Sequence, residues 1–184
     1  KRLALRDYGF QPGEGLYTDM NAIRRDEVTD NIHSIFVDQW DWERILGPDE
    51  RNEAMLRSVV EKIYATLRAT EEYVCAHYPH ITPELPEHIA FVTTQELEDR
   101  YPDKTAKERE YLATKEHGAV FLMGIGGALR SGKIHDGRAP DYDDWTLNGD
   151  ILLYYKPLDI ALEVSSMGIR VNPEALKRQL AIRG

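Results

Sequence analysis

The stretch DILLYYKPLDIALEVS, residues 150–165, holds two runs of aliphatic and aromatic residues on either side of a proline-containing turn. The runs Asp150–Tyr155 and Ala161–Ser165 have the composition of β-strands. Because so few residues separate them, we expect the two strands to pair antiparallel. The stretch therefore indicates a fold built on an antiparallel sheet.

Outside this stretch, the sequence predicts further strands and several helices. A Gly-punctuated loop is expected from Lys1 onward, and strands are expected at Leu16–Tyr17, His33–Glu43, Ile89–Thr93 and Ala119–Met123. Apolar residues spaced three to four apart predict a long helix that opens at Pro48. Further helices are expected after Thr94, over Ala106–Lys115 and over Glu174–Ile182. The fold class is thus α+β, an antiparallel β-sheet flanked by helices, in a single domain over residues 1–184.

The composition disfavours several classes of protein. The 184 residues carry a formal net charge of -9, which argues against a nucleic-acid partner because phosphate binding needs a basic surface. No apolar run is long enough to span a bilayer, and the mean hydropathy is -0.51, so a transmembrane protein is excluded. The single cysteine, Cys75, cannot form an internal disulfide, which favours a reducing compartment and hence the cytoplasm.

Two glycine-rich signals are incomplete. The glycines of Gly124–Gly127 lack the third glycine of the dinucleotide-binding fingerprint, because Leu129 stands in its place. Gly132-Lys133 resembles the end of a P-loop, but Ile134 replaces the Ser or Thr that would hold magnesium. A hairpin turn after a buried strand is the simpler interpretation of this segment.

Clustered carboxylates are more informative. In a regular strand over His33–Glu43, Gln39 and Asp41 share one face, because side chains alternate with a period of two. Polar groups on such a face either point to solvent or line a pocket. The acids of Asp141–Asp144 are either an exposed acidic turn or a cluster that cations or ligand amines compensate.

A second pattern combines acids with arginines. Asp150 and Glu163 fall in the two strands of the expected hairpin, and paired carboxylates suit Mg²⁺ on a nucleotide because that ion prefers a few hard oxygen ligands. Candidate clamps for a carboxylate or a phosphate are Arg24, Arg138 and Arg170. Each arginine taken alone is more simply a surface residue.

Six segments are specific enough to indicate a family. They are GEGLYTDMNAIR (Gly13–Arg24), VDQWDWE (Val37–Glu43), GAVFLMGIGG (Gly118–Gly127), HDGRAPDYDDW (His135–Trp145), LNGDIL (Leu147–Leu152) and SSMGIRV (Ser165–Val171). Together they resemble the ammonia-dependent asparagine synthetases, also called aspartate–ammonia ligases, over nearly the whole chain and in the expected order. The resemblance implies the fold of the class II aminoacyl-tRNA synthetase catalytic domain, which agrees with the α+β prediction.

The resemblance also implies an activity. ATP would activate the side-chain carboxylate of L-aspartate as an acyl-adenylate and release pyrophosphate, and ammonia would then displace AMP to give L-asparagine. Arginines and Mg²⁺ would screen the two anions that meet in the first step. A homodimer is implied as well, with free ammonia rather than glutamine as the nitrogen source, and with neither nucleic acid nor membrane as a partner.

Roles for individual residues follow from the same resemblance. For catalysis it implies Arg24, facing the α-phosphate and the attacking carboxylate, and either Asp41 or Asp143, accepting protons from ammonia. The implied substrate-binding residues are Gln39, Asp41, Asp143, Ser166 and Arg170. The implied ATP- and AMP-binding residues are Lys1, Ser34, Arg138, Asp150, Glu163 and Ser166. Of these, Asp150 and Glu163 are also the candidate Mg²⁺ ligands.

The chain departs from the family pattern in three places. Family members carry residues before Lys1, a Gly-rich stretch after Gly184, and a longer loop between Trp145 and Leu147. We therefore expect the sequence to be incomplete at both ends and at that loop. Two alternatives stay open: another adenylate-forming ligase with an aminoacyl-tRNA synthetase-like fold, and a non-catalytic paralogue that keeps the aspartate pocket.

Overall fold

The computed structural model describes residues 1–183, and for Arg183 the backbone alone. The chain divides into two compact units, Lys1–Arg51 and the part from Asn52 onward. Each unit contains its own β-sheet. In the described part of the chain, no helix has the length and apolar character needed to cross a membrane. The assignment of the chain to a single domain stays a prediction.

The first unit consists of a short helix and a two-stranded sheet. Helix α1 covers Arg2–Asp7, and strands β1 (Gly15–Ile23) and β2 (Phe36–Arg44) pair antiparallel. The sequence predicts a loop where α1 lies, but Arg, Leu and Ala are good helix formers and Leu5 is buried. The strand predicted at Leu16–Tyr17 extends over the whole of β1, because β2 supplies hydrogen-bond partners along the full length of β1.

The second unit is built on a four-stranded sheet with the order β3-β4-β5-β6. Its strands are β3 (Ala90–Thr93), β4 (Ala119–Met123), β5 (Asp143–Tyr155) and β6 (Ile160–Arg170). The hairpin of β5 and β6 confirms the antiparallel pair expected from residues 150–165. One pair departs from the expected antiparallel sheet: β3 and β4 are parallel, because two helices connect them and return the chain to the same edge.

Helices cover both faces of this sheet. They are α2 (Glu53–His77), α3 (Thr94–Arg100), α4 (Ala106–His117) and α5 (Pro173–Arg183). Phe121 packs with residues of α2 in one buried cluster, and its neighbour Leu122 packs with residues of α3 and α4 in another. Since successive strand residues point to opposite faces, the wholly buried β4 joins the two clusters. The α+β prediction is confirmed.

Helix α2 begins later than its sequence predicts. Pro48–Glu50 form a separate 3-10 turn, and the side chain of Asn52 caps α2 by accepting a hydrogen bond from the Met55 amide, at 2.9 Å. The caps of α3 and α4 are Thr93 and Thr105. These caps set the starts of the helices, and α4 packs on β4, β5 and β6.

The start of β5 is held by residues distant in sequence. Gln179 of α5 is wholly buried, accepts a hydrogen bond from the Trp145 amide and donates to the carbonyls of Pro140 and Asp143. Gly126 packs against the Trp145 ring. Residues 145–147, where the resemblance implies a longer loop, run within β5, and the pairing with β6 is irregular between Asp143 and Asn148. This segment is therefore firmly tied to the second unit.

Candidate active site

Arg138 and Asp150, both implied to bind the nucleotide, form an ion pair in the second unit. Asp150 lies within β5, opposite Leu122 of β4 on one side and Ser166 of β6 on the other. Its side chain is only 6% exposed. Arg138 belongs to the segment that leads into β5, so this contact fixes the segment to the sheet.

The Asp150 carboxylate is buried without full compensation. Burial raises the pKa of Asp150 above its ordinary value, although the positive charge of Arg138 and a hydrogen bond with Ser166 oppose the rise. Its Oδ1 atom is buried and has no hydrogen-bond partner among residues 1–183. A buried carboxylate oxygen without a partner is rare in folded proteins, and it is a suitable ligand for a cation.

Glu163 of β6 lies on the same face of the sheet as Asp150. It pairs with Leu152, two residues further along β5, and side chains two apart in a strand point the same way. The pKa of Glu163 is raised, first by loss of hydration and then by the negative charge of Asp150. A cation would relieve the repulsion between these two carboxylates, so the pair fits a magnesium ion.

The described residues contain no cluster of three or more side chains able to hold a metal ion. Mg²⁺ on a nucleotide does not require such a cluster, because that ion commonly takes one or two protein carboxylates and fills its other positions with phosphate oxygens and water. Asp150 and Glu163 would supply the protein ligands.

Asp143 and Arg170 form a second ion pair, where β5 begins and β6 ends. Arg170 Nη1 lies 2.7 Å from Asp143 Oδ1, and the guanidinium lies 3.3 Å above the centre of the Tyr142 ring. The neighbouring Asp144 is buried and bonds to Arg178 of α5, at 3.1 Å. Cations therefore compensate Asp143 and Asp144, whereas Asp141 of the same run is exposed.

In the first unit, Lys1 contacts Asp41 of β2. The Lys1 ammonium lies 2.6 Å from Asp41 Oδ1 and 3.9 Å from the buried carboxylate of Glu43. Gln39 is exposed on the same strand, and β2 is regular, so Gln39, Asp41 and Glu43 share one face as the sequence predicts. The Asp41 carboxylate thus accepts an ammonium group in this structure.

Arg24 and Ser34 lie at either end of the segment that joins β1 to β2. Arg24 follows β1 directly, its side chain is 49% exposed, and its guanidinium forms an ion pair with Glu27 at 3.0 Å. Ser34 is exposed just before β2. Their implied contacts with ATP stay predictions.

His135 and Glu110 are two buried residues that were not expected at the site from the sequence. His135 Nε2 lies 3.0 Å from Glu110 Oε1, and the charge of Glu110 contributes to the raised pKa of Asp150. Glu110 shares one face of α4 with the buried Ala113 and Thr114, a spacing of three to four that could have marked it as an inward-facing acid.

The chain matches one known protein family over its whole length. The family described as Aspartate-ammonia ligase matches residues 1–184. The chain belongs to the aspartate–ammonia ligase family. The resemblance seen in the sequence motifs is therefore confirmed.

Curated relatives of the aspartate–ammonia ligase family support this assignment. Proteins named aspartate–ammonia ligase are 64% identical in Clostridium perfringens (strain 13 / Type A) and 60% identical in Ruminiclostridium cellulolyticum, over 99% and 100% of this chain. A relative of the same name from Fusobacterium nucleatum is 59% identical over 182 residues. The chain spans about half the length of these relatives, 54%, 55% and 56% respectively.

The fold of this aspartate–ammonia ligase family member is similar to that of a solved aminoacyl-tRNA synthetase. An aspartyl-tRNA synthetase from Entamoeba histolytica superposes with a TM-score of 0.64 over 99% of this chain and 39% of that chain. The two are 13% identical, so the likeness concerns the fold alone. It confirms the predicted similarity to an aminoacyl-tRNA synthetase fold.

Proposed function

We propose that the protein carrying this chain makes L-asparagine from L-aspartate, ammonia and ATP, and releases AMP and pyrophosphate. The observation that supports this most is the aspartate–ammonia ligase match over residues 1–184. In the first step, an oxygen of the substrate's β-carboxylate attacks the α-phosphorus, and the bond to the pyrophosphate leaving group breaks. In the second step, ammonia attacks the β-carbonyl carbon, and AMP leaves with the electrons of the carbon–oxygen bond.

Nucleotide binding is assigned to Arg138, Asp150, Glu163 and Ser166 in the second unit, and to Lys1 and Ser34 in the first. Arg138 would donate to phosphate oxygens, since a guanidinium matches their geometry and charge. Support comes from the buried Asp150 oxygen, which lacks a hydrogen-bond partner among the described residues, and from the raised pKa values of Asp150 and Glu163. Both features are relieved when positive charge is added.

Mg²⁺ belongs to the same proposal, with Asp150 and Glu163 as its protein ligands. The ion would neutralise phosphate charge and help stabilise the charge that builds up on the departing pyrophosphate. This chain's own contribution is the pair of carboxylates, held on one face of the β5–β6 hairpin.

We assign the residues that recognise aspartate by matching their charges to the charged groups of the substrate. Asp41 and Asp143 would accept the ammonium group of aspartate, and Asp41 already holds the ammonium of Lys1 at hydrogen-bond distance. Arg170, which is held over the Tyr142 ring, would bind a substrate carboxylate. Ser166, four residues earlier on β6, and Gln39 would donate hydrogen bonds to the substrate, Gln39 at its side-chain end.

Catalysis is assigned to Arg24 and to one of two acids. Arg24 would stabilise the negative charge that develops on the α-phosphate as the carboxylate attacks. Asp41 or Asp143 would accept a proton from the nitrogen as the new carbon–nitrogen bond forms. We further propose a cytoplasmic homodimer, supported by the family resemblance and by the single cysteine.

The direct test is product formation by the intact protein with ATP, Mg²⁺ and aspartate, with ammonium or glutamine supplied in separate reactions. We expect AMP and asparagine with ammonium only. Aspartate-dependent exchange of pyrophosphate into ATP without asparagine would instead favour another adenylate-forming ligase. Aspartate binding without any reaction of ATP would favour the non-catalytic paralogue.

A matched pair of variants tests the assigned site. Asp150→Asn should lower kcat/KM for ATP about 100-fold, because it removes a buried charge next to the phosphates. Asp99→Asn is the control, since Asp99 forms an exposed ion pair with Arg130 in the same unit. The site assignment fails if the two variants have equal activity while both remain folded.

A further inference from the structure

His135 and Glu110 form a buried hydrogen-bonded pair that has no role in the proposed reaction, although His135 is the first residue of the motif His135–Trp145. Their side chains are 1% and 7% exposed, and His135 Nε2 lies 3.0 Å from Glu110 Oε1. Glu110 belongs to α4, and His135 belongs to the segment that leads into β5. The contact therefore ties that segment to a helix that packs on the sheet.

The state of the pair follows from the charge of Glu110. Burial alone would raise the pKa of Glu110, but hydrogen bonds from His135 and Lys107 outweigh it and leave the pKa below its ordinary value. Glu110 is therefore ionised at neutral pH and accepts from His135, so Nε2 carries the hydrogen. His135 Nδ1 is left buried without a hydrogen-bond partner in the described part of the chain.

An apolar residue would fill this space without an unpartnered nitrogen. A buried polar atom without a partner costs stability, typically about 1–3 kcal/mol. His135, whose Nδ1 atom has no partner among the described residues, lies three residues before Arg138, and the side chain of Arg138 forms the ion pair with Asp150. The same carboxylate of Glu110 also contributes to the raised pKa values of Asp150 and Glu163. His135 thus lies close in sequence to the arginine of the candidate site, and Glu110 interacts electrostatically with the two carboxylates of that site.

We propose that the His135–Glu110 hydrogen bond is a positioning contact, which fixes Arg138 relative to Asp150 and thereby sets the affinity for the nucleotide. The proposal rests on the proposed nucleotide site. His135 touches Glu110 rather than the nucleotide, so its effect passes through Arg138. Loss of the contact would let the segment carrying Arg138 shift, which weakens ATP binding and leaves aspartate binding unchanged.

Two substitutions of His135 separate positioning from general destabilisation. In His135→Gln the side-chain amide reaches about as far as Nε2 and can still donate to Glu110, whereas in His135→Asn it lies near the place of Nδ1 and cannot. We expect His135→Asn to raise both the KM and the Kd for ATP about tenfold, the effect of losing one hydrogen bond to a charged group. His135→Gln should stay within about threefold of the wild type.

Tyr64→Phe provides the control on α2. The buried Tyr64 hydroxyl donates to the Pro86 carbonyl at 2.6 Å, so this variant also loses a hydrogen bond of a buried side chain. It should lower thermal stability and leave the KM for ATP unchanged. If His135→Asn does not fold, Glu110→Asp takes its place, because it retracts the carboxylate by one methylene and keeps the charge.

The experiment measures steady-state kinetics and calorimetric binding of ATP with the intact protein. Equal changes in the KM for ATP and for aspartate, or no rescue by His135→Gln, would overturn the positioning role. A wild type that binds ATP but makes no asparagine would overturn the proposed function alone, since the Kd for ATP still tests the positioning contact. Absence of ATP binding by the wild type would overturn both proposals.

Discussion

Gly126 has a positive φ of +110°, and a Cβ atom built on it would lie 2.6 Å from Trp145 Cδ1. Gly126→Ala should therefore lower the free energy of unfolding by at least about 2 kcal/mol, from backbone strain and from overpacking against the ring. Gly127→Ala is the control, because its Cβ would meet no atom within 4 Å, and it should change stability by less than about 1 kcal/mol. Urea denaturation of both variants measures the difference.

Gln179 gives a second prediction at the same scale. It is wholly buried, and its amide makes three hydrogen bonds with the backbone of Pro140, Asp143 and Trp145. Gln179→Leu would leave these backbone groups without partners, so we expect a loss of about 2–4 kcal/mol in the free energy of unfolding. Lys177→Leu, at an exposed position of the same helix, should cost less than about 0.5 kcal/mol. Equal losses in the two variants would contradict this role for Gln179.

At the scale of elements, the capping box of α4 makes stability depend on pH. The amide and hydroxyl of Thr105 donate to Glu108, which lowers the pKa of Glu108 to about 2 from its ordinary 4.5. A lowered carboxyl pKa stabilises the folded state above pH 4.5, and this contribution is lost as the pH falls through about 2.

Glu108→Gln should accordingly lower the Tm at neutral pH, and its difference from the wild type should shrink as the pH falls below 4.5. Thermal unfolding across this range gives the measurement. Glu61→Gln removes one negative charge from an exposed position of α2 and serves as the control. A difference between Glu108→Gln and the wild type that stays constant with pH would rule out the ionised cap.

The elements that the sequence predicts well are those fixed by local pattern. β4 is found at Ala119–Met123 as expected, because a wholly apolar run bounded by glycines leaves few other structures. The parallel pairing of β3 with β4 and the contact of His135 with Glu110 were not predictable in this way. The two contacts join residues 30 and 25 positions apart along the chain, so they depend on how the helices pack rather than on any local period.

In the candidate site, too, the features set by local strand geometry were predictable, whereas the long-range ion pairs were not. The alternation of Gln39 and Asp41 and the pairing of the strands carrying Asp150 and Glu163 follow from strand geometry, and the structure confirms both. The partner of each charge does not follow from the sequence, because an arginine can reach acids far from it along the chain. Arg138 with Asp150 and Arg178 with Asp144 became evident only in the folded chain.

At the scale of the whole molecule, the two units should differ in local stability. All five residues of β4 are buried between two neighbouring strands, whereas β1 and β2 form a two-stranded sheet with most residues exposed. Opening of β4 requires loss of the core, so we expect its amides to exchange with deuterium at least about 100-fold more slowly than those of β1. Exchange followed by mass spectrometry of the intact protein tests this, and similar rates in both strands would contradict it.

The two arginine–carboxylate pairs that involve Asp150 and Asp143 of β5 also restrict how these positions change during evolution. Arg138 pairs with Asp150, and Arg170 pairs with Asp143. A single substitution in either pair leaves the opposite charge partly buried without its ion-pair partner, which can be costlier than replacing both. A lineage that replaces one member therefore passes through a less fit intermediate unless its partner is replaced at nearly the same time. At these four positions we expect the two members of a pair to be replaced together. The exposed residues of α2 can be replaced one at a time.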